Sequence, residues 1–428
     1  MNQAWVVTVD MGYGHQRAAD PFRDIAREGI ITANTDKVSS DKERKHWRRI
    51  RGGYEGLSRL SEIPIIGKPL WKSYDHFQQI AERYPARDLS EPSIGTLYLD
   101  RLIRHGLGSS IAAHCRTAEI PFLTTYFVLA LAAGRAGVKN VFCVATDTDI
   151  NRIWVAKEPK SSPVIYFAPT DVARRRLLQY GVPDENVYFT GFPLPQENVD
   201  TVKEDLRNRL ARLDPERQFL DRYRESITRE LGDVGKSEGR LTVTYAVGGA
   251  GAQRHVAADI LRGAAPFIKG KRLRLNLVAG VRPEVAAFFR ESIARHGLDA
   301  ELGTGVRVLL SPDKAAYFRE FNQWLRDTDV LWTKPSELVF YSALGIPILM
   351  TPPLGSHEEF NRDWLQMMGA GFMQQPPEYA GEWLVEWGQK GIFAEAAFDA
   401  YCKAPRNGTG NVKALMFAGD RAATELKR

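Results

Sequence analysis

The sequence predicts an α/β protein built from two doubly wound domains, each a parallel β-sheet covered by helices. Its 428 residues exceed the length that one hydrophobic core usually supports. Short runs rich in β-branched residues alternate with amphipathic helical stretches, a pattern typical of parallel sheets flanked by helices. The alternation occurs in two series, which are separated by a charged, helix-forming segment from Gln196 to about Gly239. Two series indicate two domains.

The predicted strands are the short apolar runs of each series. In the first series they are residues 5–9, 141–145, 164–168 and 187–190, and in the second 241–247, 274–278, 306–310, 330–333 and 346–350. A helix predicted over residues 171–179 begins at a cap, Thr170 or Asp171, and is stopped by a glycine and a proline. We expect an N-terminal domain over residues 1–195, a connector and C-terminal domain over 196–385, and helices over 386–428 that pack back across both domains.

The composition is that of an ordinary globular protein, with 44% hydrophobic and 26% charged residues. The N-terminus lacks the basic start, apolar core and cleavage site of a secretory signal. The longest nearly apolar run, residues 120–133, is too short to span a bilayer. The three cysteines show neither metal-ligand nor redox spacing. We therefore expect a cytoplasmic protein without disulfides.

The net charge of +6 is unevenly distributed along the chain. Residues 41–51 are rich in lysine and arginine around Trp47, and an apolar, aromatic stretch over residues 63–74 follows. Cations beside aromatic rings suit an anionic membrane surface, where each basic residue contributes about 1 kcal/mol. The alternative is a solvated charged helix followed by core residues. Nucleic acid is not expected as a partner, because no DNA- or RNA-binding signature accompanies the segment.

A glycine-rich turn, Gly12-Tyr13-Gly14-His15, follows the first predicted strand. Glycines directly after a strand let the chain turn tightly and approach a ligand, and the helix that follows presents free N–H groups. A histidine there lies at the carboxyl edge of the sheet, where open α/β folds bind ligands. With an ordinary pKa of about 6.5, a histidine suits proton transfer from an attacking hydroxyl. The alternative is a tight turn with a capping histidine.

A second glycine-rich segment contains Gly248, Gly249 and Gly251 and leads from a predicted strand into a helix. Its backbone amides suit a diphosphate. It matches neither the Walker pattern, since no Gly-Lys-Ser/Thr follows, nor the dinucleotide spacing G-x-G-x-x-G. An ordinary strand-to-helix turn is the alternative.

Two later segments carry polar groups suited to a nucleotide sugar. The first follows the predicted strand 330–333, and its lysine and helix start offer positive potential to phosphate oxygens. The second offers side chains able to hold sugar hydroxyls, although its Glu358 and Asn361 also suit helix capping. The candidate residues of the two segments are Lys334, Ser336, Glu337, His357, Glu358 and Asn361.

Two acidic residues, Asp147 and Asp149, follow the predicted strand 141–145. Either carboxylate suits orienting an acceptor or assisting a base at the edge of the sheet. A metal site is not expected, because no other carboxylate or histidine cluster lies in this segment. Ordinary loop capping accounts for Asp149 as well as function does, so Asp147 is the favoured candidate.

Taken in order, these segments resemble family 28 glycosyltransferases, with the closest likeness to diacylglycerol glucosyl- and galactosyltransferases such as monogalactosyldiacylglycerol synthase. The family's Gly-Xaa-Gly-His matches residues 12–15, and its Thr-Asp with a later Trp is similar to residues 146–147 with Trp154. Its donor-domain pattern is approximated by residues 333–334, 345–347 and 357–361. The segment that includes Trp71 resembles the loop and helix that these lipid-acting enzymes place near the membrane.

The resemblance implies a GT-B fold, in which two Rossmann-like domains face each other across a cleft. It implies inverting transfer of a hexose from a UDP-sugar in the second domain to an acceptor hydroxyl in the first, without a metal or other cofactor. His15 becomes the acceptor-side base or binding residue, and Gly12, Gly14, Trp71 and Trp154 belong to the acceptor or membrane side. A membrane lipid as acceptor and peripheral attachment to the inner face of the membrane are further expectations.

The sequence departs from the family at two donor positions. The glutamate that binds ribose in the family falls on Phe340, and Glu337 is the nearby carboxylate that remains. His357 stands where the family has glutamine. These departures leave the nucleotide and the sugar open.

The leading hypothesis is direct displacement at the anomeric carbon, with His15 or Asp147 deprotonating the acceptor. Two alternatives are a nucleotide-sugar epimerase of the same fold and a non-catalytic regulator that binds a nucleotide sugar or a lipid. The missing ribose glutamate favours the regulator, and the retained Gly-His pair argues against it.

Overall fold

The computed structural model describes residues 2–48, 79–237, 239–248, 253–353 and 355–418. By its internal contacts the chain divides into two compact units. The first unit comprises Met1–Leu194, Leu354–Asn361 and Pro405–Arg428, and the second comprises Pro195–Pro353 and Arg362–Ala404.

The first unit contains a six-stranded parallel sheet in the order β2-β1-β3-β4-β5-β6. Its strands are β1 (Trp5–Thr8), β2 (Ile31–Thr32), β3 (Phe122–Thr124), β4 (Val141–Val144), β5 (Val164–Ala168) and β6 (Val187–Phe189). All four residues of β1 and of β4 are buried, as expected for a sheet covered on both faces. The order reverses between β1 and β3, which is the switch point of this sheet.

The helices of the first unit cover this sheet. They are α1 (Gly14–Ala19), α2 (Ile94–Arg104), α3 (Ser109–Cys115), α4 (Phe127–Arg135), α5 (Asp171–Gln179) and, near the end of the chain, α16 (Gly408–Ala418), and residues 41–48 are helical as well. The predicted helix 171–179 is present, and the Thr170 hydroxyl caps it by accepting from the Ala173 amide at 2.9 Å.

The second unit contains a six-stranded parallel sheet in the order β12-β11-β10-β7-β8-β9. Its strands are β7 (Leu241–Ala246), β8 (Leu273–Gly280), β9 (Val306–Leu310), β10 (Val330–Thr333), β11 (Ile348–Met350) and β12 (Gly371–Met373). Numbered from β7, this is the 3-2-1-4-5-6 order of dinucleotide-binding folds. The switch point lies between β7 and β10.

The helices of the second unit begin in the charged segment that follows the first unit. They are α6 (Gln196–Asp200), α7 (Val202–Leu213), α8 (Gln218–Arg222), α9 (Arg224–Leu231), α10 (Arg254–Lys269), α11 (Pro283–Arg295), α12 (Lys314–Asp327), α14 (Ala380–Gln389) and α15 (Ile392–Lys403). The unit boundary falls inside α13 (Ser356–Met367), after Asn361. Across the described ranges, none of the helices is both long and apolar enough to cross a membrane.

The predicted fold class is confirmed: the chain is an α/β protein with two Rossmann-like, parallel-sheet domains. All nine predicted strands are present. Three further strands, β2, β3 and β12, have two or three residues each and were not predicted. The arrangement of the domains across a cleft stays a prediction.

The C-terminal segment divides between the two units. The first segment of the first unit ends at Leu194, and the predicted domain boundary is at residue 195. Residues 386–418 are divided between the two units. Residues up to Ala404 belong to the second unit, and α16 belongs to the first. α16 is held there because the Thr409 hydroxyl donates to the Leu194 carbonyl and the Asn411 amide to the Thr190 carbonyl, at 2.6 and 2.8 Å.

The aromatic residue in the basic segment is part of the core. Trp47 is 1% exposed, and its ring centroid lies 6.0 Å from that of Tyr126. Trp47 therefore does not present an aromatic surface to a membrane. The rest of that segment from residue 49, including Trp71, lies outside the described residues.

Candidate active site

The switch point of the first sheet brings His15 next to β3. After β1 the chain turns at Gly12, whose φ of +88° is in the left-handed region that favours glycine. α1 begins at Gly14, and His15 is its second residue. Ligands of open α/β sheets bind at such switch points. The glycine turn therefore places His15 at the edge where this unit is expected to bind a ligand.

Two hydrogen bonds join His15 to Thr125, the residue that follows β3. His15 Nδ1 lies 2.7 Å from the Thr125 carbonyl oxygen, and the Thr125 hydroxyl donates to the His15 carbonyl oxygen at 2.8 Å. Because a carbonyl oxygen only accepts, Nδ1 carries the proton of the neutral ring and Nε2 carries the lone pair. The imidazole is thus held in the tautomer that accepts a proton at Nε2.

Aromatic rings surround the imidazole. The Tyr126 ring meets it edge to face at a centroid distance of 4.9 Å, and the Trp154 ring lies 6.4 Å away. Trp154 is 6% exposed and belongs to the core of the first unit. The structure therefore places Trp154 beside His15 and not at a surface that meets a membrane.

The loop after β4 brings Asp147 and Asn361 together. The Asn361 side-chain oxygen accepts from the amide and the hydroxyl of Thr148, at 2.9 and 2.8 Å. Its side-chain nitrogen donates to a carboxylate oxygen of Asp147 at 3.1 Å. Asn361 is fully buried. In this unit Asn361 holds the Asp147 loop, and its predicted contact with the donor sugar stays a prediction.

The neighbouring Asp149 has a structural role. Its two carboxylate oxygens accept from Nε and Nη2 of Arg176, both at 2.9 Å, and one of them also accepts from the Ile150 amide. Both side chains of the pair are buried. The pair fastens the loop to α5. The choice of Asp147 as the functional carboxylate stays a prediction.

His357 and Glu358 lie in the first turn of α13 and belong to the first unit. His357 Nε2 is 4.0 Å from a carboxylate oxygen of Glu358, whose side chain is 2% exposed, whereas that of His357 is 30% exposed. His357 is the more accessible of the two to a ligand. Their predicted role at a donor sugar stays a prediction.

At the switch point of the second sheet, Lys334 packs against Gly248. Gly248 follows β7 and Lys334 follows β10, the two strands between which the order reverses. A β-carbon at Gly248 would lie 2.9 Å from Cε of Lys334 and 3.2 Å from its Cδ. Glycine at this position therefore leaves the space that the lysine side chain occupies. Gly249 and Gly251 lie outside the described residues.

Gln253 is at the N-cap position of α10 and links this helix to β7 and to the residues that follow β11. Its φ of +63° is in the left-handed region, which is uncommon for a residue other than glycine. The Tyr245 hydroxyl donates to its carbonyl at 2.8 Å, and the Thr351 hydroxyl donates to its side-chain oxygen at 2.7 Å. Its side-chain nitrogen donates to the Pro352 carbonyl at 3.3 Å. Burial raises the pKa of the Tyr245 phenol far above its ordinary value, so this hydroxyl remains a donor.

The segment after Lys334 forms a 3₁₀ helix, Glu337–Leu344, with Ser336 at its N-cap position. Phe340 is 3% exposed and packs on Trp364 at a ring-centroid distance of 5.4 Å. Phe340, at the position expected for a ribose-binding glutamate, is therefore a core residue. Glu337 lies in the first turn of the 3₁₀ helix and is the carboxylate of this segment.

Two pairings were not predicted from the sequence: Thr125 with His15, and Thr351 with Gln253. Thr125 lies in an apolar run and is 110 residues from His15 in sequence. Thr351 is 98 residues from Gln253. No local pattern reports such pairs. Among the described residues, no group of three or more His, Cys, Asp or Glu side chains is placed to hold a metal ion.

Comparison with known proteins gives a partial family match and two distant relatives. Residues 283–374 match a family described as a domain of unknown function, DUF6938. The chain is 22% identical over 234 residues to the processive diacylglycerol β-glucosyltransferase of Bacillus subtilis (strain 168), covering 54% of this chain and 50% of that protein. It is 22% identical over 248 residues to the enzyme of the same name from Staphylococcus carnosus (strain TM300), covering 57% and 52%.

Two solved structures align with most of this chain. One is a complex of S. aureus MnaA with UDP, and the other is Acinetobacter baumannii MurG. The first has a TM-score of 0.49 at 12% identity, covering 99% of this chain and 98% of that one. The second has a TM-score of 0.48 at 14% identity, covering 97% and 99%. In sequence the chain is similar to glycosyltransferases, and it spans about half the length of the curated relatives that it matches.

Proposed function

We propose that the protein is a glycosyltransferase that moves a hexose from a nucleotide sugar, with UDP as the expected nucleotide, to an acceptor hydroxyl. The observation that carries the proposal is the 2.7 Å contact between His15 Nδ1 and the Thr125 carbonyl, which leaves Nε2 as the basic nitrogen. The sequence similarity to two glucosyltransferases supports the same class of reaction.

In the proposed reaction, His15 Nε2 takes the proton of the acceptor hydroxyl while the acceptor oxygen bonds to the anomeric carbon. The bond between that carbon and the diphosphate oxygen breaks, and its electron pair leaves with the diphosphate. Attack from the face opposite the leaving group inverts the anomeric carbon. Asp147, held by Asn361, is the second candidate for the base. The proposed reaction uses no metal or other cofactor.

We assign the diphosphate to the second switch point. Lys334 supplies a cation beside Gly248, and the start of α10 supplies amide N–H groups and the positive end of a 16-residue helix. Charge-assisted contacts of this kind favour a departing diphosphate over a neutral ligand. Gly249, Gly251, Ser336 and Glu337 belong to the same proposed donor site.

We further propose that the acceptor is a membrane lipid and that α2 meets the membrane. The exposed residues of α2 are three apolar ones, Ile94, Leu97 and Tyr98, which are 74%, 45% and 63% exposed, and two arginines, Arg101 and Arg104. Their spacing places them on one face of the helix. Arg104 Nε pairs with the partly exposed carboxylate of Asp100 at 2.9 Å, and Arg101 adds a second exposed cation. An apolar and basic face suits the surface of an anionic bilayer.

The opposite face of α2 holds the helix to its unit. Thr96, Leu99 and Ile103 are buried, and the Ser93 hydroxyl caps the helix by accepting from the Thr96 amide at 3.1 Å. The exposed face is thus presented by a helix that is already formed. Such a face needs no folding to bind, so the entropy of ordering does not oppose docking.

Product analysis with the full chain tests the proposal. Candidate UDP-hexoses are incubated with and without diacylglycerol in anionic vesicles, and mass spectrometry follows the lipid and the donor. Transfer to the lipid, with a β-linked product from an α-linked donor, supports the proposal. Conversion of the donor to an epimer without acceptor would instead assign the chain an epimerase activity. If the chain turns over none of the donors and none of the nucleoside diphosphates raises its Tm, the proposal is wrong.

The base is tested with His15→Gln and Asp147→Asn, with His105→Gln as the control at an exposed histidine. Removing a general base lowers kcat by about 10²- to 10⁴-fold. We expect that loss for His15→Gln, with nucleotide binding retained. A comparable loss for Asp147→Asn, with His15→Gln near wild type, would move the role of base to Asp147.

A further inference from the structure

Thr125 contacts His15 from two sides. Its carbonyl oxygen accepts from His15 Nδ1 at 2.7 Å, and its hydroxyl donates to the His15 carbonyl at 2.8 Å. The two bonds are reciprocal: the side chain of each residue bonds to the main-chain carbonyl of the other. Together they fix both the imidazole and the backbone that carries it.

These bonds fix the direction of a further hydrogen bond, between Thr125 and Thr8. Thr8 Oγ1, at the end of β1, lies 2.9 Å from Thr125 Oγ1, and both threonines are 1% exposed. A hydroxyl has one proton, and that of Thr125 goes to the His15 carbonyl. Thr8 is therefore the donor to Thr125. The chain of donors runs from Thr8 through Thr125 to the His15 main chain.

We propose that Thr125 is the positioning residue of the base, doing with a neutral carbonyl what a carboxylate does for the histidine of a Ser-His-Asp triad. This inference rests on the proposed function of His15 as the base. The carbonyl keeps Nδ1 protonated, so the lone pair that takes the acceptor's proton is on Nε2. The same carbonyl stabilises the imidazolium that forms when the proton arrives. The hydroxyl fixes the carbonyl and the imidazole relative to each other.

The position of Thr125 in the fold supports this role. It follows β3, which lies between β1 and β4 in the sheet. His15 lies in the first turn of α1, the helix that follows β1. Thr146, whose hydroxyl lies 3.5 Å from His15 Nδ1, lies in the loop after β4. The Thr125 carbonyl, which accepts the Nδ1 proton, therefore lies at the end of β3, the central strand of the three.

The test compares Thr125→Val with Thr124→Val. Both threonines are buried, and both substitutions remove a hydroxyl at nearly constant shape. The Thr124 hydroxyl accepts from the Tyr126 amide, whereas the Thr125 hydroxyl donates to His15. We expect Thr125→Val to lower kcat about tenfold, with the donor KM changed by less than about twofold, because misplacing a reacting group costs rate more than binding. Thr125→Ser keeps the hydroxyl and is expected to restore the rate.

The pH–rate profile separates positioning from general loss of structure. A carbonyl acceptor at Nδ1 stabilises the protonated ring more than the neutral one, so weakening it moves the acid limb of the kcat profile to lower pH. We expect this displacement for Thr125→Val and for Thr8→Val, and an unmoved limb for Thr124→Val. The inference is wrong if Thr125→Val keeps the wild-type kcat and acid limb. It is also wrong if Thr124→Val changes kcat and the acid limb as much as Thr125→Val does.

A measurement without turnover distinguishes this inference from the proposed function. In protein labelled with ¹⁵N in its histidine rings, the signal assigned to His15 by its loss in His15→Gln reports the tautomer. We expect the Nδ1–H form in the wild type and a mixture of both tautomers in Thr125→Val. That result supports the positioning role even if no transfer is observed, and an Nε2–H form in the wild type would overturn it.

Discussion

The side chain of Lys334 lies in the space that a side chain at position 248 would fill. A β-carbon at Gly248 would come within 2.9 Å of Lys334 Cε. Gly248→Ala should therefore displace the lysine and weaken nucleoside diphosphate binding about tenfold, as expected when a charge-assisted contact worth about 1.5–3 kcal/mol is lost or stretched. Titration calorimetry with UDP measures the effect, and Lys334→Met should reproduce it.

The control for this prediction is Gly235→Ala, at a glycine of the same unit where an added β-carbon meets nothing within 4 Å. The combined Gly248→Ala/Lys334→Met variant should bind UDP no more weakly than Lys334→Met alone, because both changes act through the same amine. Wild-type affinity in Gly248→Ala would show that the lysine does not meet the diphosphate.

The hydrogen bond between Gln253 and Thr351 should support the same ligand. Gln253→Leu removes both side-chain bonds of Gln253, and Thr351→Val removes the donor to its oxygen. We expect each to weaken UDP binding severalfold and to lower the free energy of unfolding by about 1 kcal/mol. In the double variant the losses should not add, because the two residues share one bond. Thr304→Val, at an exposed threonine, serves as the control. Fully additive losses of UDP affinity and of unfolding free energy would show that Gln253 and Thr351 act independently.

The exposed face of α2 should bind anionic vesicles. Leu97→Glu places a negative charge on the apolar part of this face, and co-sedimentation with vesicles containing phosphatidylglycerol should fall at least about fivefold. Leu302→Glu makes the same change at a leucine that is 49% exposed in the other unit, and it should bind like the wild type. Salt should weaken wild-type binding, since the arginines act through charge. Unchanged sedimentation of Leu97→Glu, or binding that salt does not affect, would place the membrane contact elsewhere.

The three thiols should differ in reactivity. Cys402 is exposed, whereas Cys115 and Cys143 are buried. Burial, with a smaller contribution from Glu28, raises the pKa of the Cys115 thiol to about 12, and burial also raises the pKa of Cys143. Only a thiolate attacks a disulfide reagent, so at pH 8 Cys402 alone should react with Ellman's reagent in the folded protein. All three should react in guanidinium, and a second fast thiol in the native protein would contradict the burial of these residues.

Long, buried strands were predictable from the sequence, and pairings between distant loops were not. β7 and β8 have six and eight residues and give clear apolar runs, whereas β3 has three and merges into the run that continues as α4. His15 was predictable because a glycine turn after a strand fixes where the next residue lies. Its partner Thr125 was not, since that contact depends on which strands are neighbours in the sheet.

The basic segment begins with a helix that buries one of its faces. Glu43 and Trp47 are both buried, and their spacing of four residues is that of one face of a helix. The buried carboxylate of Glu43 accepts from the Ser110 amide at 3.1 Å. Among the described residues of this helix, Lys42, Lys45 and Arg48 are exposed to solvent, which is why composition alone suggested a membrane-binding surface there.

The amide of Asn361 constrains which amino acids position 361 can carry. The side chain at this position must accept a hydrogen bond from Thr148 and donate one to Asp147 at the same time. Aspartate would set two negative charges against each other, and leucine would leave the buried Thr148 amide without its acceptor, at a cost of about 1–3 kcal/mol. Homologues that keep an acid at 147 should therefore keep an amide at 361, and the two columns of an alignment should change together.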